Sequence, residues 1–147
     1  MRAWGVQHDL YPVKDWQACG KIDEIVATWS DVLEAFAPII LNTAATAEER
    51  SQAIDEVKEG ILRKYLTIIE KQLEKNINEG KFIVGTKMSI ADFCMACLTF
   101  NILKNESGPF QAPLAPLLLE FPHYGAYSKR LHSELKEHLD SRPAYPF

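Results

Sequence analysis

At 147 residues, 47% of them hydrophobic, the chain is long enough to bury one substantial core and too short for two ordinary domains. A formal net charge of −4 and a pI near 5.6 offer no basic field for phosphates, so nucleic acid and anionic membrane are not expected partners, whereas a protein or a small molecule is. No run approaches the roughly 18 to 20 apolar residues of a spanning helix and no apolar leader opens the chain, so the expected setting is intracellular: cytoplasmic, with a mitochondrial or other organellar complex also open.

Taken in chain order, Trp4 to Pro12 reads as a short helix followed by an extended turn, because Pro12 fixes its own φ and disfavours helix at Tyr11. Asp15 stands where a helix cap belongs. Ile22, Ile25, Val26, Trp29, Val32, Leu33, Phe36 and Ile40 then recur at three- and four-residue steps, which puts a broad apolar face on one helix, with Pro38 and Asn42-Thr43 marking a frayed end. A second helix is expected after Thr46, whose capping partner is Glu49. It carries Ile54, Val57, Ile61, Leu62, Tyr65, Leu66, Ile69, Leu73 and Ile77 over about eight turns and stops before Gly80. Gly60, inside that pattern, reads as a helix crossing point, and the charges of Glu70 to Lys75 as a solvated face.

The segment Lys81 to Leu103 carries the sharpest local signal. With Ser89 as N-cap, its hydroxyl is expected on the Asp92 amide, the Asp92 carboxylate on the Ser89 N–H, and Met88 on Phe93 as a hydrophobic staple. From Asn105 to Pro116 three prolines and a glycine predict an irregular loop. After Phe121-Pro122 a last helix uses Tyr124, Tyr127, Leu131, Leu135 and Leu139, and the closing Ser141-Arg-Pro-Ala-Tyr-Pro-Phe147 cannot extend it. Phe82-Ile-Val84 is the one strand-like run, too short and isolated for a sheet. An all-α bundle follows.

Few residues invite a chemical role. Cys94 and Cys97 have redox-pair spacing but lie one to two turns inside an apolar helix, and together with Cys19 they make an odd set without a secretory marker, so free thiols are expected, the helical pair buried. Cys19 with His8, His123, His132 and His138 shows no zinc spacing, so no metal is assigned. Ser89 and Asp92 have no histidine near in sequence, and the reciprocal cap accounts for both. No residue qualifies as catalytic. Tyr65, Tyr124 and Tyr127 sit at core spacing.

Gly85-x-x-x-Ser-x-Ala-Asp-Phe preceded by Phe82-Ile-Val resembles the signature of the glutathione transferase C-terminal domain. The resemblance runs back through Tyr65-Leu-x-Ile-Ile-Glu-Lys-Gln-Leu73 to Ile22-Asp-Glu-Ile-Val26, most like sigma-like members, and forward to Phe121-Pro122 and Ser141-Arg-Pro143, covering about Asp9 to Pro143. It implies a glutathione transferase C-terminal-domain-like helical bundle over 13–147, with 1–12 as the remnant of a preceding helix and an interdomain linker. It also implies that glutathione is a cofactor only where a thioredoxin-like domain, the half that carries the chemistry, is present. By the same resemblance Asp31 falls where an acidic residue approaches the glutathione amino group, and Leu33 and Ala37 where the first long helix lines the electrophile pocket. A solvated Asp31 is the plainer reading of an isolated carboxylate on a helix.

Two functions compete. One is a non-catalytic structural or assembly module in a larger complex, joined to a protein partner or a second copy. The other is the substrate-pocket and dimerisation half of an active transferase that conjugates glutathione to electrophiles. Trp4, Val6, Leu10, Tyr11 and Trp16 crowd one edge of the chain, and an apolar edge of that kind calls for a partner.

Overall fold

The apolar stripes set by the sequence fold into eight α-helices among the residues that the computed structural model describes, 1–76 and 80–143. They are α1 (Arg2–Gln7), α2 (Trp16–Leu41), α3 (Ala47–Val57), α4 (Arg63–Lys75), α5 (Ile90–Cys97), α6 (Gln111–Leu118), α7 (Pro122–Glu134) and α8 (Lys136–Ser141), with no strand among these residues. Ile77, expected at the end of the second helix, and the tail from Ala144 lie outside the described residues.

Helix α2 begins as its sequence dictates: the Asp15 carboxylate accepts the Ala18 N–H at 3.0 Å. Ile22, Ile25, Val32, Phe36 and Ile39 are buried on one face, and Val26, Trp29, Leu33 and Ile40 pack at its margins. The end does not fray at Pro38. Phe36 and Ile39, buried on either side of it, hold the last turn to Leu41, where the Asn42 N–H reaches the Pro38 carbonyl at 3.0 Å. The missing proline N–H therefore costs one intrahelical bond rather than the helix.

The expected eight-turn helix is broken. Thr46 and Glu49 form the reciprocal cap of α3, at 3.2 and 2.9 Å, but a kink at Lys58–Leu62 separates α3 from α4, with Gly60 at a non-helical φ −89°, ψ −107°. An added Cβ at Gly60 would meet nothing within 4 Å, so the glycine marks a kink and not a helix crossing.

The segment expected to be irregular as far as Pro116 becomes helical at Gln111. Pro113 falls in the first turn of α6, where N–H groups have no intrahelical partner, so its ring removes nothing, and Leu114 and Leu117 are buried. Irregular chain is confined to the stretch before it, where Phe110 is buried edge-on against Phe36 at 5.1 Å. The last helix divides at Leu135 (φ −103°, ψ 9°) into α7 and α8.

Helix α5 packs on α2, and α4 on α7, around a core of Tyr65, Leu66, Ile69, Met95, Leu98, Tyr124, Tyr127 and Leu131. No helix among the described residues is long and apolar enough to cross a membrane. Gly5 is where α1 meets the rest: an added Cβ would lie 2.8 Å from Ile90 Cγ2 and 3.0 Å from Tyr11 Cβ.

Candidate functional site

The start of α5 is the most polar place in the core. Asp92 is fully buried, and both its oxygens are occupied: Oδ1 accepts the Ile83 N–H at 3.0 Å and the Tyr127 hydroxyl at 2.7 Å, and Oδ2 accepts the Ser89 N–H and hydroxyl, each at 2.9 Å. The reciprocal box between Ser89 and Asp92 is present, weighted toward the carboxylate, because the Ser89 hydroxyl donates to it and the Asp92 N–H also bonds the Ser89 carbonyl at 3.0 Å. Met88 packs at the edge of the core, while Phe93 is half-buried and turned toward Trp4, edge-on at 6.1 Å.

Burial raises the Asp92 carboxyl above the usual carboxylate range, and its four donors pull the other way. Burial first, and the neighbouring carboxylate second, push the Tyr127 hydroxyl well up, which makes Tyr127 the donor at neutral pH. A carboxylate with four internal donors has no lone pair left for a substrate. Its work is to join the Phe82–Val84 segment, α5 and α7 at one point, and Gly85, at φ 72°, takes the left-handed turn that brings the chain back to Ser89.

Asp31 is exposed, and among the described residues its carboxylate has no hydrogen bond or ion pair. Leu33 packs at the edge of the core, Ala37 is half-buried, and none of the three lines the cleft described next. The structure therefore brings Ser89, Asp92, Ile83 and Tyr127 together and leaves Asp31 apart from them.

The N-terminal segment carries the exposed apolar residues. Trp16 is 78% exposed, Val13 60%, Trp4 50% and Val6 47%, although Leu10 and Tyr11 pack on the core. The segment is fixed in place all the same. Asp23 accepts Arg2 Nε and the Tyr11 hydroxyl, both at 2.8 Å, and the Leu10 carbonyl takes the first N–H of α5, from Ile90, at 3.1 Å. Phe93 continues this edge into a cleft of about 360 Å³ between α5 and α8, with Ala96, Phe100, Leu135 and Leu139 in its walls and Arg142 at its rim.

All three cysteines are free. Burial pushes Cys94 up to about 12 and also raises Cys97, the opposite of what a reactive redox pair needs. Among the described residues no cluster could hold a metal ion.

Two groups escaped sequence reasoning. Glu70 is no part of a solvated face: its carboxylate accepts the N–H groups of His123 and Tyr124, both at 2.8 Å, and caps α7. Arg142 donates to the Phe100 carbonyl at 2.7 Å and to Asn101 Oδ1, and so pins the end of α8 to α5's continuation. The signal for Glu70 was a gap, since Phe121-Pro122 opens a helix without Ser, Thr, Asp or Asn to cap it.

The sequence model described as glutathione S-transferase, C-terminal domain, matches residues 30–142. No curated protein sequence and no solved structure matches the chain.

Proposed function

The chain belongs to the glutathione S-transferase C-terminal domain family, and on that premise we propose that these residues serve as a non-catalytic docking and assembly module, held against a protein partner through the N-terminal edge. What supports the reading is the exposure of Trp16, Val13, Trp4 and Val6 on a segment that is otherwise firmly tied down. A mobile tail can expose large side chains at no structural cost; a segment anchored by Asp23 and by the Leu10 carbonyl keeps them in solvent in a fixed arrangement, and such a patch marks an interaction site. The partner surface belongs either to another polypeptide or to another domain of the same one.

Light scattering and calorimetry on one sample test this. The chain is expected to self-associate or to require a partner, Val13→Ser with Trp16→Ser is expected to relieve the association, and glutathione at millimolar concentration is expected to give no binding heat. A solitary monomer indifferent to the two substitutions sinks the docking reading. Binding of glutathione would replace it with the substrate-pocket reading and send attention to Asp31, Leu33 and Ala37.

A further inference from the structure

Lysine nitrogens on a folded chain are usually either free in water or paired with a carboxylate, and both settings keep them protonated. Lys21, Lys58, Lys81, Lys87 and Lys136 are of the second kind, held by Glu24, Asp55, Glu134, Asp9 and Asp140. Lys104 is held differently. It stands just past Leu103, where the turns that continue α5 end, with its own N–H on the Thr99 carbonyl at 2.8 Å. Its side chain crosses to α7, and the nitrogen donates to the hydroxyl of Ser128 at 2.6 Å. Ser128 is buried and gives its single O–H to the Gly125 carbonyl at 2.9 Å, so its oxygen faces Lys104 as an acceptor.

A neutral acceptor changes the chemistry of the amine. Losing a proton costs a carboxylate-paired lysine its ion pair, whereas an uncharged Lys104 still donates one N–H to Ser128 and keeps its lone pair free. Lys129, the next residue of α7, brings a second ammonium close. Loss of surrounding water first, and this like charge second, hold the Lys104 amine below the ordinary lysine value. Both lysines are exposed, so a reagent reaches them. A tethered, partly dehydrated amine beside another cation has the setting of a nucleophilic lysine, and the neighbouring ammonium favours a reagent that carries negative charge.

We propose that Lys104 is a covalent acylation site for anionic acyl donors of the acyl phosphate class, with Lys129 receiving the phosphate. The Lys104 nitrogen attacks the carbonyl carbon, and the C–N bond forms as the C–O bond to phosphate breaks. Phosphate leaves with that electron pair and takes one proton from the nitrogen. The product amide keeps an N–H for Ser128 and removes the charge that opposes Lys129. The test treats the native chain with acetyl phosphate at neutral pH and follows each lysine by peptide mass spectrometry, with Lys71, exposed on α4, as the reference. Lys104 is expected to acetylate about fivefold faster than Lys71. Lys129→Gln is expected to bring the two rates together, with circular dichroism confirming the fold. With N-hydroxysuccinimide acetate, an uncharged donor, the native lead is expected to shrink to about twofold, because the tether and the dehydration act without the phosphate contact. Equal rates for Lys104 and Lys71 in the native chain overturn the proposal, and so does a lead that survives whole in Lys129→Gln or with the uncharged donor.

Discussion

Helices α5 and α7 both begin on a carboxylate, but α5 takes it from three residues along its own chain and α7 from Glu70, 53 residues before His123 on another helix. Both arrangements satisfy N–H groups that a helix leaves unpaired and place negative charge at the positive end of the dipole. They differ in what else the carboxylate holds. Asp92 is fully buried and its donors come from three separate parts of the chain; Glu70 is half-buried and serves a single helix end. A local cap can thus become the junction of a fold, and a remote one can remain only a cap.

The sharpest way to break that distinction is Asp92→Ala. It strands the Ile83 and Ser89 N–H groups and the Tyr127 hydroxyl in the core, each at a cost of about 1–3 kcal/mol. A loss of about 4 kcal/mol or more is expected, a large share of the roughly 5–15 kcal/mol by which a domain is stable. Chemical denaturation should show it as a collapse of the midpoint. A loss under about 1 kcal/mol would mean that Asp92 is an ordinary cap.

Glu70→Ala comes next. Removing both acceptors of the α7 terminus is expected to cost about 2 kcal/mol, with the midpoint lowered and the slope unchanged because no new surface is exposed. Thr46→Ala, at an exposed cap that is local and serves only α3, is expected to cost about 1 kcal/mol. If Glu70 proved as costly as Asp92, remoteness rather than burial would be what raises the stakes of a cap.

The same contrast explains what the sequence disclosed. The caps at Asp15, Thr46 and Ser89 are written within four residues, and the α2, α4, α5 and α7 cores within helical periodicity, so each is legible in the sequence alone. Glu70 on α7, Tyr127 on Asp92 and Arg142 on Asn101 join residues far apart in the chain, and no periodicity records such a meeting. Local rules also misjudged proline: Pro113 stops no helix because it lands in a first turn, and Pro38 stops none because Phe36 and Ile39 are buried beside it. For function, the spacing of Trp4 and Trp16 gave the edge, but only packing showed that Leu10 and Tyr11 turn inward while the tryptophans do not.

The gentlest probe changes no residue. Cys94 lies two positions beyond Asp92, buried, with its thiol pushed up to about 12 by desolvation, whereas Cys19 is half-buried beside the Pro12 carbonyl. Alkylation by iodoacetamide at neutral pH, read by mass spectrometry, should label Cys19 early and Cys94 last. The Cys94 rate should climb about tenfold for each pH unit, since only the thiolate reacts and its fraction stays small until pH nears 12. Combined with the two cap variants, this rate separates the two helix starts. Glu70→Ala should leave Cys94 protected, because α7 can fray without opening α5, whereas Asp92→Ala should expose Cys94 in whatever fraction still folds, because the junction that excludes water from it is gone. Equal exposure in both variants would mean that α5 and α7 open as one unit and that the division between junction and cap is not real.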